Sequence, residues 1–250
     1  TNTFNDIRNS KSIFLIGGNP AEAHPVSMLH VLRGRENGAK MIVVDPRFTR
    51  TAAHADEYVR IRPGTDIALL WGLVREIFEN GWQDQEYLDQ RVWNIEAVRE
   101  EAEKWTPEEV EHVSGIPADQ VRSIARTLAE NRPGTLIWCM GLTQHTIGSS
   151  NTRAASILQL VLGNIGKTGG GANIFRGHDN VQGATDLGVA VDSLPAYYGL
   201  AEGAWRHWAR VWDTDYQYLQ DKFASKDLME TAGMPLSRYM DAINENPESP

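Results

Sequence analysis

The chain has 250 residues, a formal net charge of −9, and 41% hydrophobic and 23% charged residues. A chain of this length can bury a sizeable core, and its acidic balance argues against a nucleic-acid partner or a basic membrane-docking surface. No apolar run approaches the roughly 20 residues that cross a bilayer, so we expect no membrane partner. The single cysteine, Cys139, excludes an internal disulfide and a cysteine cluster for zinc or iron and sulfur. We therefore assign no metal ligand to this chain.

Short apolar, β-branched runs predict buried strands that alternate with helices. Ser12–Ile16 and Lys40–Val44 are such runs, and the helix between them ends at Asn37-Gly38. This order predicts a parallel βαβ unit, and hence an α/β fold with a parallel sheet and helices on both faces. The other predicted strands are Tyr58–Ile61 and Gly134–Cys139. Three more helices are predicted at Glu86–Trp105, Pro117–Asn131 and Asn151–Gly163. A further predicted helix begins at Thr65 or Asp66 and ends at Asn80-Gly81, and another begins with the capping box Thr106-Pro107-Glu108-Glu109.

The sequence changes character in its last third. Tryptophans recur at short intervals at Trp205, Trp208 and Trp212, where the earlier alternation of strands and helices has stopped. We therefore predict two domains, with an α/β domain of the dinucleotide-binding kind at residues 1–180. Residues 181–250 are predicted to be a mostly helical or irregular part of an adjoining domain.

Loops that follow the predicted strands carry residues suited to a nucleotide. Gly17–Pro25 places backbone N–H groups at the start of a helix, where an anion can dock. Asp45 ends the second strand, where such folds often place an acid against a ribose, and Arg47 and Thr49 follow it. In Arg62–Asp66, the last carboxylate either accepts bonds from a purine edge or caps a helix. Turn formation and capping are the alternative for each loop, but together the loops predict a nucleotide-like ligand.

Two later segments add candidate ligand residues. Met140 and Gln144 are four positions apart in the loop after Gly134–Cys139, so both can face one ligand. A glycine-rich stretch at residues 169–186 surrounds Arg176, a planar cation suited to a small anion. We interpret this stretch as a loop, with a solvated surface loop as its alternative. His145 and His178 lie in these loops, whereas five other histidines are interpreted as structural or exposed: His24, His30, His54, His112 and His207.

These motifs, in this order, resemble the molybdopterin oxidoreductases of the dimethyl sulfoxide reductase class, and within it the catalytic subunit of formate dehydrogenase. The resemblance extends from Thr1 to about Gly203, and its aromatic tail from Pro195 looks most like the soluble NAD-dependent enzymes. The motifs are Gly17–Pro20 through His24-Pro25, Val44–Arg47, Arg62–Asp66, Met140–His145, Leu162–Gly166 and Arg176–Gly183.

The resemblance implies a pair of molybdopterin guanine dinucleotides that hold molybdenum or tungsten, with one guanosine end bound by this domain. It places Gly18, Asn19 and Glu22 near phosphate, and Asp45, Arg47 and Thr49 near ribose. It also places Gly64 and Asp66 near guanine, and Met140 and Gln144 near the pterin. Arg176 corresponds to the active-site arginine of formate dehydrogenases, and Gly177 beside it is expected to contact the cofactor. His178 stands where some relatives carry glutamine and is expected to be a second catalytic residue, which tunes the site.

The resemblance also implies what surrounds this segment in the whole enzyme. The metal-ligating cysteine or selenocysteine and the iron–sulfur cluster are expected in an upstream region, so we expect this chain alone to be inactive. Expected partners are formate and diaphorase subunits that carry iron–sulfur and flavin, and the expected location is the cytoplasm. The alternatives are a nitrate reductase of the same class, the non-catalytic large iron–sulfur subunit of respiratory complex I and a plain nucleotide-binding domain.

Overall fold

The computed structural model describes residues 2–178, 180–189, 193–230 and 239–245. Asp179, which belongs to the motif Arg176–Gly183, and Thr1 lie outside the described residues. The chain divides into two compact units, Thr1–Gly177 and His178–Pro250.

A five-stranded parallel sheet forms the centre of the first unit. Its order is β3-β2-β1-β4-β5, with the first strand paired to both β2 and β4. From β1 the chain adds β2 and β3 on one side of that strand, and it then adds β4 and β5 on the other side. The direction in which strands are added therefore reverses between β1 and β4. The predicted α/β fold is confirmed. The strands are β1 (Ser12–Ile16), β2 (Lys40–Val44), β3 (Glu57–Val59), β4 (Gly134–Trp138) and β5 (Gly171–Ile174).

The two faces of the sheet bury alternate residues of each strand. In β1, Ile13 and Leu15 belong to one core cluster, whereas Phe14 and Ile16 belong to the other. Successive side chains of a strand point to opposite faces, so a strand buried on both sides reads as a continuous apolar run. This explains why β1, β2 and β4 were recognisable in the sequence.

Helices cover both faces. A 3₁₀ helix at Phe4–Asn9 packs with α2 on one face, and α3, α7 and α9 cover the other. The α-helices of the first unit are α1 (Pro20–Ala23), α2 (Pro25–Glu36), α3 (Asp66–Glu79), α4 (Gln85–Arg91), α5 (Ile95–Glu103), α6 (Pro107–Ser114), α7 (Ala118–Glu130), α8 (Met140–Thr143) and α9 (Gly148–Val161). A second 3₁₀ helix spans Ala52–His54.

The prediction of a single helix over Glu86–Trp105 is wrong. The structure has α4 and α5 there, separated at Asn94, whose φ of 60° is left-handed. Asparagine tolerates this conformation better than most residues, so it interrupts a helix without a glycine or proline signal. The predicted cap at Thr106 is confirmed, because its hydroxyl oxygen accepts a hydrogen bond from the N–H of Glu109 at 3.2 Å.

The prediction of a loop over residues 169–186 is also wrong, because the first unit has the strand β5 there and the second unit has a helix at Val181–Asp186. Gly171–Ile174 pairs in parallel with β4, although Gly, Ala and Asn are poor strand formers. Asn173 Nδ2 donates to Thr135 Oγ1 at 2.6 Å, and Gln159 Nε2 donates to the carbonyl oxygen of Gly171 at 2.8 Å. Tertiary hydrogen bonds to buried side chains thus stabilise a strand that local propensity does not favour.

The second unit is helical where it is described. Leu194, Trp205, Ala209 and Leu219 form its small buried cluster, and the rings of Trp208 and Trp212 lie 5.1 Å apart. No helix among the described residues is both long and apolar enough to cross a membrane. The helices are α10 (Val181–Asp186), α11 (Glu202–Val211), α12 (Tyr216–Phe223), α13 (Lys226–Glu230) and α14 (Tyr239–Glu245), with a 3₁₀ turn at Pro195–Tyr197.

Candidate functional site

A cavity of about 460 Å³ opens at the carboxyl edge of the sheet in the first unit. It lies where the strand order reverses between β1 and β4, which is where open α/β sheets bind ligands. The loops that follow four neighbouring strands line it. The lining residues are Gly17, Gly18, Asn19, Val44, Asp45, Pro46, Ile61, Pro63, Gly64, Asp66, Met140, Gly141, Gln144 and His145.

The loops after β1 and β4 contact each other through their backbones. The N–H of Gly141 donates to the carbonyl oxygen of Gly17 at 3.0 Å. Gly17 has a φ of +64°, and a Cβ atom on it would lie 2.5 Å from the backbone nitrogen of Leu142. Only glycine fits both this conformation and this approach, so it closes the floor between the two loops.

Asp45 contributes a partly buried carboxylate from the end of β2. Its Oδ1 accepts a hydrogen bond from the N–H of Arg47 at 2.8 Å, and the Tyr58 hydroxyl donates to its backbone carbonyl at 2.9 Å. Burial raises the pKa of the Asp45 carboxyl, against the lowering effect of that hydrogen bond and of the Arg47 charge. The carboxylate is thus held in the wall of the cavity.

Asp66 is the more buried carboxylate, with 6% of the residue exposed. It is the first residue of α3, while Thr65 occupies the capping position and donates its hydroxyl to the carbonyl oxygen of Arg62 at 2.7 Å. Burial raises the pKa of the Asp66 carboxyl, and nearby Asp45 adds to this effect, whereas His145 opposes it. A buried carboxyl at a cavity wall is suited to a ligand that presents N–H donors.

The short helix α8 and the two residues after it bring three predicted ligand residues to the cavity: Met140, Gln144 and His145. Met140 is 49% exposed, and Gln144 lies one turn later, where its N–H donates to the carbonyl oxygen of Met140 at 2.7 Å. His145 Nε2 lies 2.7 Å from the carbonyl oxygen of Gly141 and 3.8 Å from Asp66 Oδ2. Met140 and Gln144, four positions apart in the sequence, therefore both line one cavity.

Three predicted nucleotide residues do not line this cavity. Glu22 is exposed on α1, with Arg50 Nε at 3.8 Å, and Arg47 is exposed in the loop after β2. Thr49 is 4% exposed, and its hydroxyl oxygen accepts a hydrogen bond from the N–H of Ala52 at 3.1 Å. Its hydroxyl is thus engaged in local structure. The cavity also includes residues that sequence reasoning did not assign: Gly17, Val44, Pro46, Ile61, Pro63 and Gly141.

Arg176 lies just after β5 and is partly buried, and it is not among the residues that line the cavity. Gly177 is exposed, and His178 is an exposed residue of the second unit. His24, interpreted from the sequence as structural or exposed, hydrogen-bonds through its ring to the carbonyl oxygen of Arg176. The spacing of His24 in the sequence gave no sign of this contact. No group of three or more His, Cys, Asp or Glu within the described ranges is placed to hold a metal ion.

Comparison with known protein families shows which family the chain belongs to. Residues 1–229 match the family model described as molybdopterin oxidoreductase. The chain belongs to the molybdopterin oxidoreductase family. Family membership implies a molybdopterin cofactor.

The described cavity has features that suit a ligand with a purine and a phosphate group. Gly64 has a φ of +82°, and a Cβ atom placed on it would meet no atom within 4 Å, so the backbone here is open toward a ligand. Next to it, the buried Asp66 carboxyl offers acceptors to a purine that presents N–H groups. The backbone at Gly18 and Asn19, before the first turn of α1, suits phosphate.

Within the molybdopterin oxidoreductases, the chain is similar to formate dehydrogenases. The chain is 34% identical to the formate dehydrogenase major subunit of Haemophilus influenzae, over 92% of this chain and 27% of that protein. It is 37% identical to formate dehydrogenase H of Escherichia coli, over 86% of this chain and 30% of that protein. The chain is thus similar to the alpha subunit of formate dehydrogenases and spans about a third or less of these relatives.

Similarity to a solved structure supports the fold alone. The structure of acetylene hydratase from Pelobacter acetylenicus matches with a TM-score of 0.59 and 24% sequence identity. The match covers 65% of this chain and 24% of that structure. At this identity the match carries no information about the reaction.

Proposed function

We propose that this chain is the nucleotide-binding part of a formate dehydrogenase catalytic subunit, which oxidises formate to carbon dioxide. The observation that carries the proposal is the meeting of the four loop motifs at one cavity of about 460 Å³, in a chain similar to formate dehydrogenases. When bound, a bis-molybdopterin guanine dinucleotide with molybdenum or tungsten would supply the redox chemistry.

The cavity residues divide the nucleotide among them in this proposal. Asp66 accepts hydrogen bonds from the guanine edge, beside the open backbone of Gly64, and Asp45 faces the ribose. Backbone groups of Gly18 and Asn19 bind phosphate. Met140 and Gln144 face the pterin. We propose outer positions for Glu22 and Arg47, on the phosphate and ribose sides, and a supporting role for Thr49, which holds the loop at Ala52.

Arg176 has a different role in this proposal. Formate is a small monoanion, and a guanidinium binds its two oxygens through paired hydrogen bonds that also fix the direction of its C–H bond. Orientation of this kind lowers the entropic part of the barrier. The neutral product, carbon dioxide, no longer interacts with the charge and can leave. We also propose that Gly177 contacts the cofactor and that His178 is a second catalytic residue, as the resemblance implies.

We propose that the whole enzyme is cytoplasmic and NAD-dependent, with diaphorase subunits that carry iron–sulfur and flavin. The second unit, which includes the tryptophans of α11, would belong to the adjoining domain. By resemblance the metal ligand and an iron–sulfur cluster lie in an upstream region, so the 250-residue chain alone is expected to show no formate turnover.

Substitution of Arg176 in the full-length enzyme tests the reaction. Arg176→Ala should lower kcat/KM for formate by at least about a hundredfold, because a charge-assisted bidentate contact is lost. Metal and pterin contents should remain normal, and Arg91→Ala, at an exposed site on α4, should behave like wild type. Unchanged formate turnover in Arg176→Ala would show that this residue has no part in the mechanism. It would also remove the main support for formate as the substrate.

A further inference from the structure

The segment that follows β5 is held by its backbone up to Arg176. The N–H of Phe175 donates to the carbonyl oxygen of Trp138 at 2.9 Å, and Cys139 Sγ donates to the carbonyl oxygen of Phe175. The Phe175 side chain is 1% exposed, and its ring packs edge-on against Phe4 with 4.9 Å between centroids. The residue immediately before Arg176 is therefore fixed by contacts on several sides.

His24 holds the next residue. Its Nε2 atom is hydrogen-bonded to the carbonyl oxygen of Arg176, 152 positions later in the sequence. Because a carbonyl oxygen only accepts, this nitrogen must carry the hydrogen. The imidazole ring also lies against Phe175, with 5.7 Å between ring centroids. One side chain thus contacts two consecutive residues of the arginine segment.

His24 is itself fixed in the loop that leaves the cavity. It lies between α1 and α2, where its N–H donates to the carbonyl oxygen of Pro20 at 2.9 Å. Its own carbonyl oxygen accepts from the N–H of Met28 at 3.1 Å and from Ser27 Oγ at 2.7 Å. The same loop begins at Gly17–Asn19, which line the cavity. Its imidazole therefore joins the cavity loop to the backbone of the arginine.

We propose that His24 is a positioning residue for Arg176. It holds the backbone of this substrate-binding arginine at a fixed position relative to the loop that begins at Gly17–Asn19. The proposal rests on the role of Arg176 in binding formate. A hydrogen bond to its carbonyl restrains the backbone from which the guanidinium projects, so the side chain samples fewer orientations. Bidentate binding of a carboxylate depends on such orientation. His24 acts through Arg176 and does not itself contact formate.

Three replacements at position 24, made in the full-length enzyme, separate the donor from the ring. His24→Phe keeps a ring against Phe175 and removes the donor. His24→Gln keeps a donor at about the reach of Nε2, whereas the side chain of His24→Asn is too short. We expect kcat/KM for formate to fall roughly tenfold in the Phe and Asn variants and less than about threefold in Gln. Metal and pterin contents should remain normal, and His54→Gln serves as control.

A double-mutant cycle tests whether the effect passes through the arginine. Lysine binds anions as a flexible point charge, so in an Arg176→Lys background His24→Phe should cost less than about threefold. The full tenfold loss in that background would overturn the proposal. Equal activity of His24→Gln and His24→Asn would also overturn it, and this comparison decides the matter if His24→Phe does not fold.

The outcomes distinguish this proposal from the proposed function. Wild-type activity in His24→Phe, beside a strongly impaired Arg176→Ala, would refute only the positioning role. Unchanged formate turnover in Arg176→Ala would refute the function on which that role rests.

Discussion

His145 and Asp66 face each other at the cavity, with 3.8 Å between Nε2 of the histidine and Oδ2 of the aspartate. They come from different loops, and the carboxylate is the more buried of the two. This contact leaves the other acceptor sites of Asp66 for a ligand, because a carboxylate can accept at about four positions.

Asp66→Asn should weaken binding of the guanine nucleotide. The substitution keeps the shape of the side chain but replaces an acceptor oxygen by a donor NH₂, which opposes the N–H groups of guanine. We expect the guanine nucleotide content of the purified full-length enzyme to fall by roughly half or more, because this domain binds one of the two guanosine ends. Release of GMP by hydrolysis of the extracted cofactor measures it. Asp119→Asn, on the surface of α7, should retain wild-type content; equal contents in both variants would contradict the assignment of Asp66.

The same substitution should change how stability depends on pH. Because the pKa of Asp66 is raised in the folded state, the protonated carboxyl is favoured on folding. Its contribution to stability is full below the unfolded value and is lost as pH rises through the folded pKa. The amide that replaces the carboxyl in the variant does not titrate. In cofactor-free full-length protein, Asp66→Asn should therefore raise the unfolding temperature relative to wild type more at about pH 7 than at about pH 4. A difference independent of pH would contradict this.

Gly17→Ala should destabilise the protein more than the positive φ of residue 17 alone predicts. The alanine would have an unfavourable positive φ and a Cβ atom 2.5 Å from the backbone nitrogen of Leu142. Gly38→Ala is the matched control, because its φ is +93° but no atom lies within 4 Å of the added Cβ. We expect about 1–2 kcal/mol of destabilisation in the control. Gly17→Ala should lose clearly more, together with bound cofactor. Chemical unfolding measures both, and equal losses would argue against the close approach.

Gln159→Leu should loosen the edge strand β5. Gln159 is 2% exposed, and its Nε2 donates to the carbonyl oxygens of Gly134 at 3.3 Å and Gly171 at 2.8 Å. Its Oε1 accepts from Asn164 Nδ2 at 2.6 Å. Leucine would remove these three buried hydrogen bonds, at a cost of about 2–4 kcal/mol. Hydrogen exchange of the β5 amides should accelerate relative to β1. Gln90→Leu, at an exposed site on α4, should leave both rates unchanged.

Much of the fold was predictable because its signals are local. β1, β2 and β4 are short apolar runs, and the observed bounds agree with the predicted ones within one residue. The third strand begins one residue earlier than predicted and ends at Val59. The break at Asn94 was missed because a single left-handed asparagine leaves the helical pattern on both sides intact.

The candidate site was predictable only in part. The loops that carry Asp45, Asp66 and Gln144 follow strands, and the carboxyl ends of parallel strands meet at one edge of the sheet. Which residues of each loop face the cavity depends on backbone detail. Thr49 turns into the structure and bonds to Ala52, for instance. The roles of these residues toward a ligand stay predictions.

The alternation of strands and helices, the α/β class and the loops that could carry a ligand all follow from local patterns in the amino-acid sequence. Burial of apolar runs and the geometry of turns act over a few residues, so they can be read locally. The tertiary structure alone decided that Gly171–Ile174 is a strand and that His24 contacts Arg176. Both depend on hydrogen bonds between residues far apart in the sequence, whose partners are set only when the order of the strands is fixed.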